Sequence, residues 1–265
     1  MLMDPQLCRT LNHMSLVQLA EYLSIDYKEI EEYYSELLED KEFLNEINQQ
    51  IKYARKFYQK GICKHEKLES IDWMAIQRII LYILIRLFKP SLCLETGVFY
   101  GGNTCFILNA LRRNNKGQLI SIDLPANNIK PEQRHHLVGD SEYIADGLDV
   151  GFLVNENLKK RWSLIRGDSH KEIPKIDKQI DLYIHDSEHS FNFIREEMSL
   201  VWQKLSKNAI ISADDLDWSN GFFSICVEKK LYPLIITDNG KSGLRARTGI
   251  IKIGHPSEKQ KDIVG

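Results

Sequence analysis

From residue 91 onward the sequence alternates short apolar runs with amphipathic stretches, and this rhythm restricts the fold more than any other feature. The runs at 91–95, 118–123, 162–166, 180–185 and 208–213 have strand length, and the stretches at 102–113, 189–205 and 219–230 repeat their apolar residues at helical spacing. A βαβ series of this kind predicts an α/β fold, doubly wound, with a mostly parallel sheet covered by helices on both faces. Two further runs, 232–237 and 248–253, are separated by glycines but by too few residues for a crossover helix, so they are expected as an antiparallel pair completing a seven-stranded sheet.

The chain before this series reads as helix. No glycine occurs before Gly61, Asp26 and Glu29 have capping-box spacing, and Ile30, Tyr33, Tyr34, Leu37 and Leu38 follow at helical intervals. A second helix is expected over Phe43 to Tyr58, and a third over Asp72 to Phe88, where Pro90 stops it. Residues 1–70 are therefore expected as a helical cap or an arm for homo-oligomerisation, and 71–265 as the ligand-binding domain. Within the latter, 124–157 is long for a connection and carries Pro125, Pro131, Gly139, Gly147 and Gly151, which predicts a lid or small insertion.

Composition narrows the partners. With 265 residues, 43% hydrophobic and 27% charged, the chain can build one full-sized core. A net charge of −2 provides no broad basic field for nucleic acid, which favours a small-molecule partner. Five cysteines without a CxxC pair argue against a disulfide framework or a structural zinc. The longest greasy stretch, Ile79 to Phe88, is interrupted by Arg86 and falls short of the roughly 20 residues of a membrane span. Residues 1–10 lack the pattern of a secretion signal, so a cytoplasmic location is expected.

Ligands of open parallel sheets bind beyond the carboxyl ends of the strands, and the residues there carry the chemistry. The first strand ends in Glu95-Thr96-Gly97-Val98-Phe99-Tyr100-Gly101-Gly102. Gly97 and Gly102 match the outer glycines of a dinucleotide fingerprint, but Phe99 takes the middle place and would obstruct a pyrophosphate. Glu95 would repel phosphate and attract an ammonium. S-adenosylmethionine, with its ammonium, sulfonium and adenosine, suits these features, and Gly97, Tyr100, Gly101 and Gly102 are expected around it. Asp123 ends the second strand, where a carboxylate can bind both ribose hydroxyls. Asp168 and Ser169, after the third, are candidates for the adenine amine, although Asp168 could equally cap the next turn.

The fourth strand leads into His185-Asp186-Ser187-Glu188-His189 and the fifth into Asp214-Asp215. Neighbouring strands lie about 4.8 Å apart, so these carboxylates should converge at the sheet edge. Three carboxylates in one place suit a hard dication such as Mg²⁺.

Together these segments resemble the motifs of class I S-adenosylmethionine-dependent methyltransferases, and more narrowly the metal-dependent small-molecule O-methyltransferases of the catechol and macrolide-sugar types. The resemblance spans roughly residues 70–253 and implies a Rossmann-like methyltransferase fold. It implies that Asp186, Asp214 and Asp215 hold the metal, Asp186 also lying against the cofactor, and that His189 is the general base toward a hydroxyl of a sugar, phenol or natural product. The catechol enzymes have Asn where Asp215 stands and a lysine at the place of His189. Three alternatives remain open from sequence: a metal-independent methyltransferase, a catalytically silent module that binds S-adenosylmethionine, and an oxidoreductase.

Overall fold

The computed structural model describes residues 5–58, 74–124, 144, 147–238 and 246–254. Much of the expected lid, 125–143 and 145–146, lies outside the described residues, as does Asp72 at the expected start of the third helix.

Three helices open the chain: α1 (Pro5–Leu23), α2 (Tyr27–Glu39) and α3 (Lys41–Tyr58). Asp26 caps α2 by accepting from the Lys28 N–H. Asp40 links α2 to α3: it closes α2 through its own N–H and accepts the Phe43 N–H at the start of α3. The helix α4 (Ile76–Phe88) then leads into the sheet. Leu16, Leu19, Leu23, Ile30, Leu37, Phe43, Ile47 and Ile51 are buried in the same apolar cluster as α4 and α5 (Gly102–Arg113), so the N-terminal helices share that core. A polar seam fixes the register: both Arg86 nitrogens Nε and Nη2 donate to Glu36, at 2.8 and 2.9 Å, and Arg113 and Asn109 donate to Asp40. This fork geometry orients α2 on α4, as a single point charge could not.

The strands are β1 (Leu92–Thr96), β2 (Gln118–Asp123), β3 (Trp162–Arg166), β4 (Ile180–His185), β5 (Leu205–Ala213), β6 (Leu234–Asp238) and β7 (Ala246–Lys252). Their order in the sheet is β3-β2-β1-β4-β5-β7-β6. Pairings from β3 to β5 are parallel, and β7 runs antiparallel to both β5 and β6, as the short β6–β7 connection requires. The strand order turns at β1 and β4, which opens the ligand crevice at their carboxyl ends.

Three helices complete the covering: α6 (Ser169–Glu172), α7 (Phe191–Trp202) and α8 (Gly221–Lys229). Element boundaries depart from the periodicity in two informative places. β5 begins at Leu205, three residues early, because Leu205 pairs with Ile180 before the register shifts. α7 begins at Phe191 with Ser190 as its N-cap, so His189 stands outside the helix, in the loop after β4. Among the described residues, Cys93, Cys105 and Cys226 are buried free thiols. No described helix is long and apolar enough to cross a membrane.

Candidate active site

The turn after β1 is the narrowest point of the site. Gly97 has φ +83°, and a Cβ there would lie 1.8 Å from the Asp186 carbonyl oxygen. Only glycine lets β1 pass so close to the exit of β4, where the Asp186 N–H donates to the Thr96 carbonyl at 2.9 Å. Phe99, in place of the middle fingerprint glycine, also adopts a left-handed φ of 51°. Asp123 holds it there: its Oδ2 accepts the Val98 and Phe99 N–H groups, both at 2.8 Å. Burial raises the Asp123 pKa against these bonds. Segment 149–154 closes over the turn, with Gly151 donating to the Phe99 carbonyl and Leu153 to the Tyr100 carbonyl. The Tyr100 ring lies 4.0 Å from that of Phe99 and 6.1 Å from that of Phe152. Gly101, at φ 89°, is the N-cap of α5.

Glu95 turns inward. It is 0% exposed, and its two oxygens accept from the Thr104 and Ser121 hydroxyls, the latter at 2.6 Å. Burial pushes its pKa up to about 7, although both hydroxyls favour the charged form. The groups after β3 also have partners within the protein. Asp168 caps α6 through the His170 N–H, and the Ser169 hydroxyl donates to Glu197.

Glu197, on α7, is a residue that sequence reading missed. Both it and His185 are 0% exposed, with His185 Nδ1 2.7 Å from Glu197 Oε1. Thr96 at 2.8 Å, Tyr183 at 2.5 Å and Ser187 at 3.2 Å also donate to it. These bonds and the His185 charge hold its carboxyl near pKa 2 in spite of burial. The network ties the tips of β1, β4 and β3 together beneath the site. The place of Glu197 within the amphipathic stretch 189–205 was the available signal, since a buried helix face seldom carries a carboxylate without partners.

At the β4 and β5 tips, Asp186 Oδ2 accepts from Asn103 Nδ2 at 2.8 Å, and Asp214 Oδ1 accepts from the Thr248 hydroxyl at 3.0 Å. Asp215 follows in a left-handed conformation with φ 50°. Burial raises the pKa of all three; in addition Asp214 and Asp215 act on Asp186, and Asp215 on Asp214. His189, 9% exposed, places Nε2 3.8 Å from Asp215 Oδ2, and its ring stacks on Trp218 at 6.3 Å. Burial lowers its pKa to about 4, followed by repulsion from His185, so the imidazole is neutral at pH 7. Among the described residues its buried Nδ1 has no hydrogen-bond partner. Trp218 is 61% exposed and forms an open aromatic wall beside it.

Arg78 of α4 completes the edge and was also missed. Its Nη2 lies 2.8 Å from the place of a Gly102 Cβ, and its Nε donates to Asn103 Oδ1 at 3.3 Å.

Residues 94–216 match a family model described as a methyltransferase domain. No curated protein matches the chain. Among solved structures, the O-methyltransferase TomG from Streptomyces achromogenes, involved in tomaymycin synthesis and determined in complex with S-adenosylmethionine, is 17% identical, with a TM-score of 0.55 over 84% of this chain and 95% of that one. An O-methyltransferase from Bacillus cereus in complex with S-adenosylhomocysteine is 13% identical, with a TM-score of 0.53 over 83% and 96%. Likenesses at these identities speak for the fold. Sheet order and the likeness to these structures give the chain the Rossmann-like fold of class I methyltransferases, and the methyltransferase-domain match covers the strand tips from β1 to β5.

Proposed function

We propose that this enzyme transfers a methyl group from S-adenosylmethionine to a hydroxyl of a small molecule, with His189 as general base and Mg²⁺ held by Asp186, Asp214 and Asp215. The observation that carries the reading is the position of His189, a buried neutral imidazole between Trp218 and the carboxylates at the β4 and β5 tips. The O-methyltransferases among the structural neighbours support the choice of a hydroxyl acceptor.

The donor set suits a hard dication: all three residues offer carboxylate oxygens, and their mutual repulsion is relieved by positive charge. Among the described residues no three such groups close into a ligand shell in this conformation. When bound, S-adenosylmethionine supplies an electrophilic methyl and Mg²⁺ lowers the pKa of the acceptor hydroxyl. His189 Nε2 takes the hydroxyl proton as the acceptor oxygen bonds to the methyl carbon. Transfer would break the carbon–sulfur bond and release S-adenosylhomocysteine as a neutral thioether. Asp215 stabilises the imidazolium that forms, and Trp218 offers a face for the acceptor. Asp123 orients the β1 turn against the cofactor and places its carboxyl for the ribose, while Gly97 keeps Asp186 in line.

The 3.8 Å contact between His189 Nε2 and Asp215 Oδ2 favours a second reading, in which this pair works without metal. Chelation separates the two. Purified enzyme should bind S-adenosylhomocysteine with micromolar affinity by calorimetry and should not bind NAD. With hydroxylated acceptors, turnover should vanish in excess chelator and return with Mg²⁺. Undiminished turnover under chelation would leave only the metal-independent reading.

A further inference from the structure

Four carboxyl groups, those of Asp123, Asp186, Asp214 and Asp215, share the strand edge. That arrangement suits the ammonium and sulfonium of S-adenosylmethionine and repels its carboxylate. A cation is needed where the methionyl end lies. Arg78 of α4 lies across the first turn of α5, with its Nη2 2.8 Å from where a Gly102 Cβ would stand. Asn103 connects it to the site: Oδ1 accepts from Arg78 Nε, and Nδ2 donates to Asp186 Oδ2. The N-terminus of α5, capped by Gly101 without a side-chain bond, adds positive potential in the same place.

We infer that Arg78, with Asn103 as its brace, receives the carboxylate of the methionyl group of S-adenosylmethionine. This rests on the proposed cofactor. The guanidinium supplies a planar fork of donors matched to a carboxylate, and α4 carries it to the first turn of α5. Gly102 then has a definite purpose: any side chain there would displace the fork from the carboxylate.

The test compares S-adenosylhomocysteine with its decarboxylated analogue, which keeps adenosine, sulfur and amine and lacks only the carboxylate, by calorimetry on the full chain. Wild type should prefer the intact ligand. In Arg78→Met its affinity should fall roughly 10- to 100-fold while that of the analogue changes less than about threefold. Gly102→Ala, which keeps the arginine but displaces its head, should produce the same selective loss. Parallel losses for both ligands would mark Arg78 as merely structural, and no loss for either would remove it from the site; each result overturns the inference. Failure of wild type to bind S-adenosylhomocysteine would instead overturn the cofactor reading, and this inference with it.

Discussion

Replacing Gly97 with alanine tests the account of the β1 turn most directly. Two costs combine. An alanine at φ +83° occupies the left-handed region at about 1–2 kcal/mol. Its Cβ would also lie 1.8 Å from the Asp186 oxygen and 2.4 Å from its carbonyl carbon, both backbone atoms that cannot swing aside. The exit of β4 must retreat, and the Asp186-to-Thr96 bond is lost at about 1 kcal/mol. The expected total is about 3 kcal/mol or more. Urea unfolding followed by circular dichroism should show this as a midpoint lowered by about 1 M at a slope near 3 kcal/mol/M. Gly254→Ala is the control. Gly254 has φ +73°, but the nearest atoms to its Cβ are 3.6 Å away, so the conformational cost alone should appear, about 1 kcal/mol. If the two variants lose equal stability, close approach is not what requires Gly97. If Gly97→Ala unfolds like wild type, the described turn is wrong.

Glu95 has a folded pKa near 7, raised from the usual carboxylate range, so its favourable contribution is present below about pH 4.5 and is lost as pH rises through 7. Glu95→Gln should therefore gain stability relative to wild type between pH 5.5 and 8.5 in urea titrations; a gap independent of pH would contradict this. Glu197 behaves oppositely: with its pKa held near 2, its contribution is present above about pH 4.5 and lost as pH falls toward 2. Glu197→Gln should lower stability at pH 7 by about 3 kcal/mol, because His185, Tyr183, Thr96 and Ser169 lose a charged acceptor, and the deficit should shrink in acid. His189→Ala should retain S-adenosylhomocysteine binding while turnover falls roughly 10²- to 10⁴-fold, and stopped activity together with lost binding would assign the residue a structural role.

Local pattern was enough to read most of the scaffold. The period of apolar residues located α5 at 102–113 and β2, β3 and β4 at their observed bounds, because burial of one face imposes that period wherever an element packs. Asp26 was legible as a cap because capping is completed within four residues. The antiparallel end of the sheet followed from connection length, and the acidic residues at the strand tips from the rule that parallel sheets bind at their carboxyl ends.

What each acidic group does there was decided only by tertiary structure. Glu95 lies near the end of β1, two residues before Gly97, yet turns inward, because Thr104 of α5 and Ser121 of β2 meet it from two directions. Ser169 and Glu197, 28 residues apart, become partners only when α6 and α7 pack on one face of the sheet. Arg78 carries no motif; it reaches the site because α4 lies beside α5 and Gly102 leaves room for its head. A sequence pattern records which face of an element is buried. The bonds each polar atom makes there depend on segments distant in the chain, and folding alone sets them side by side.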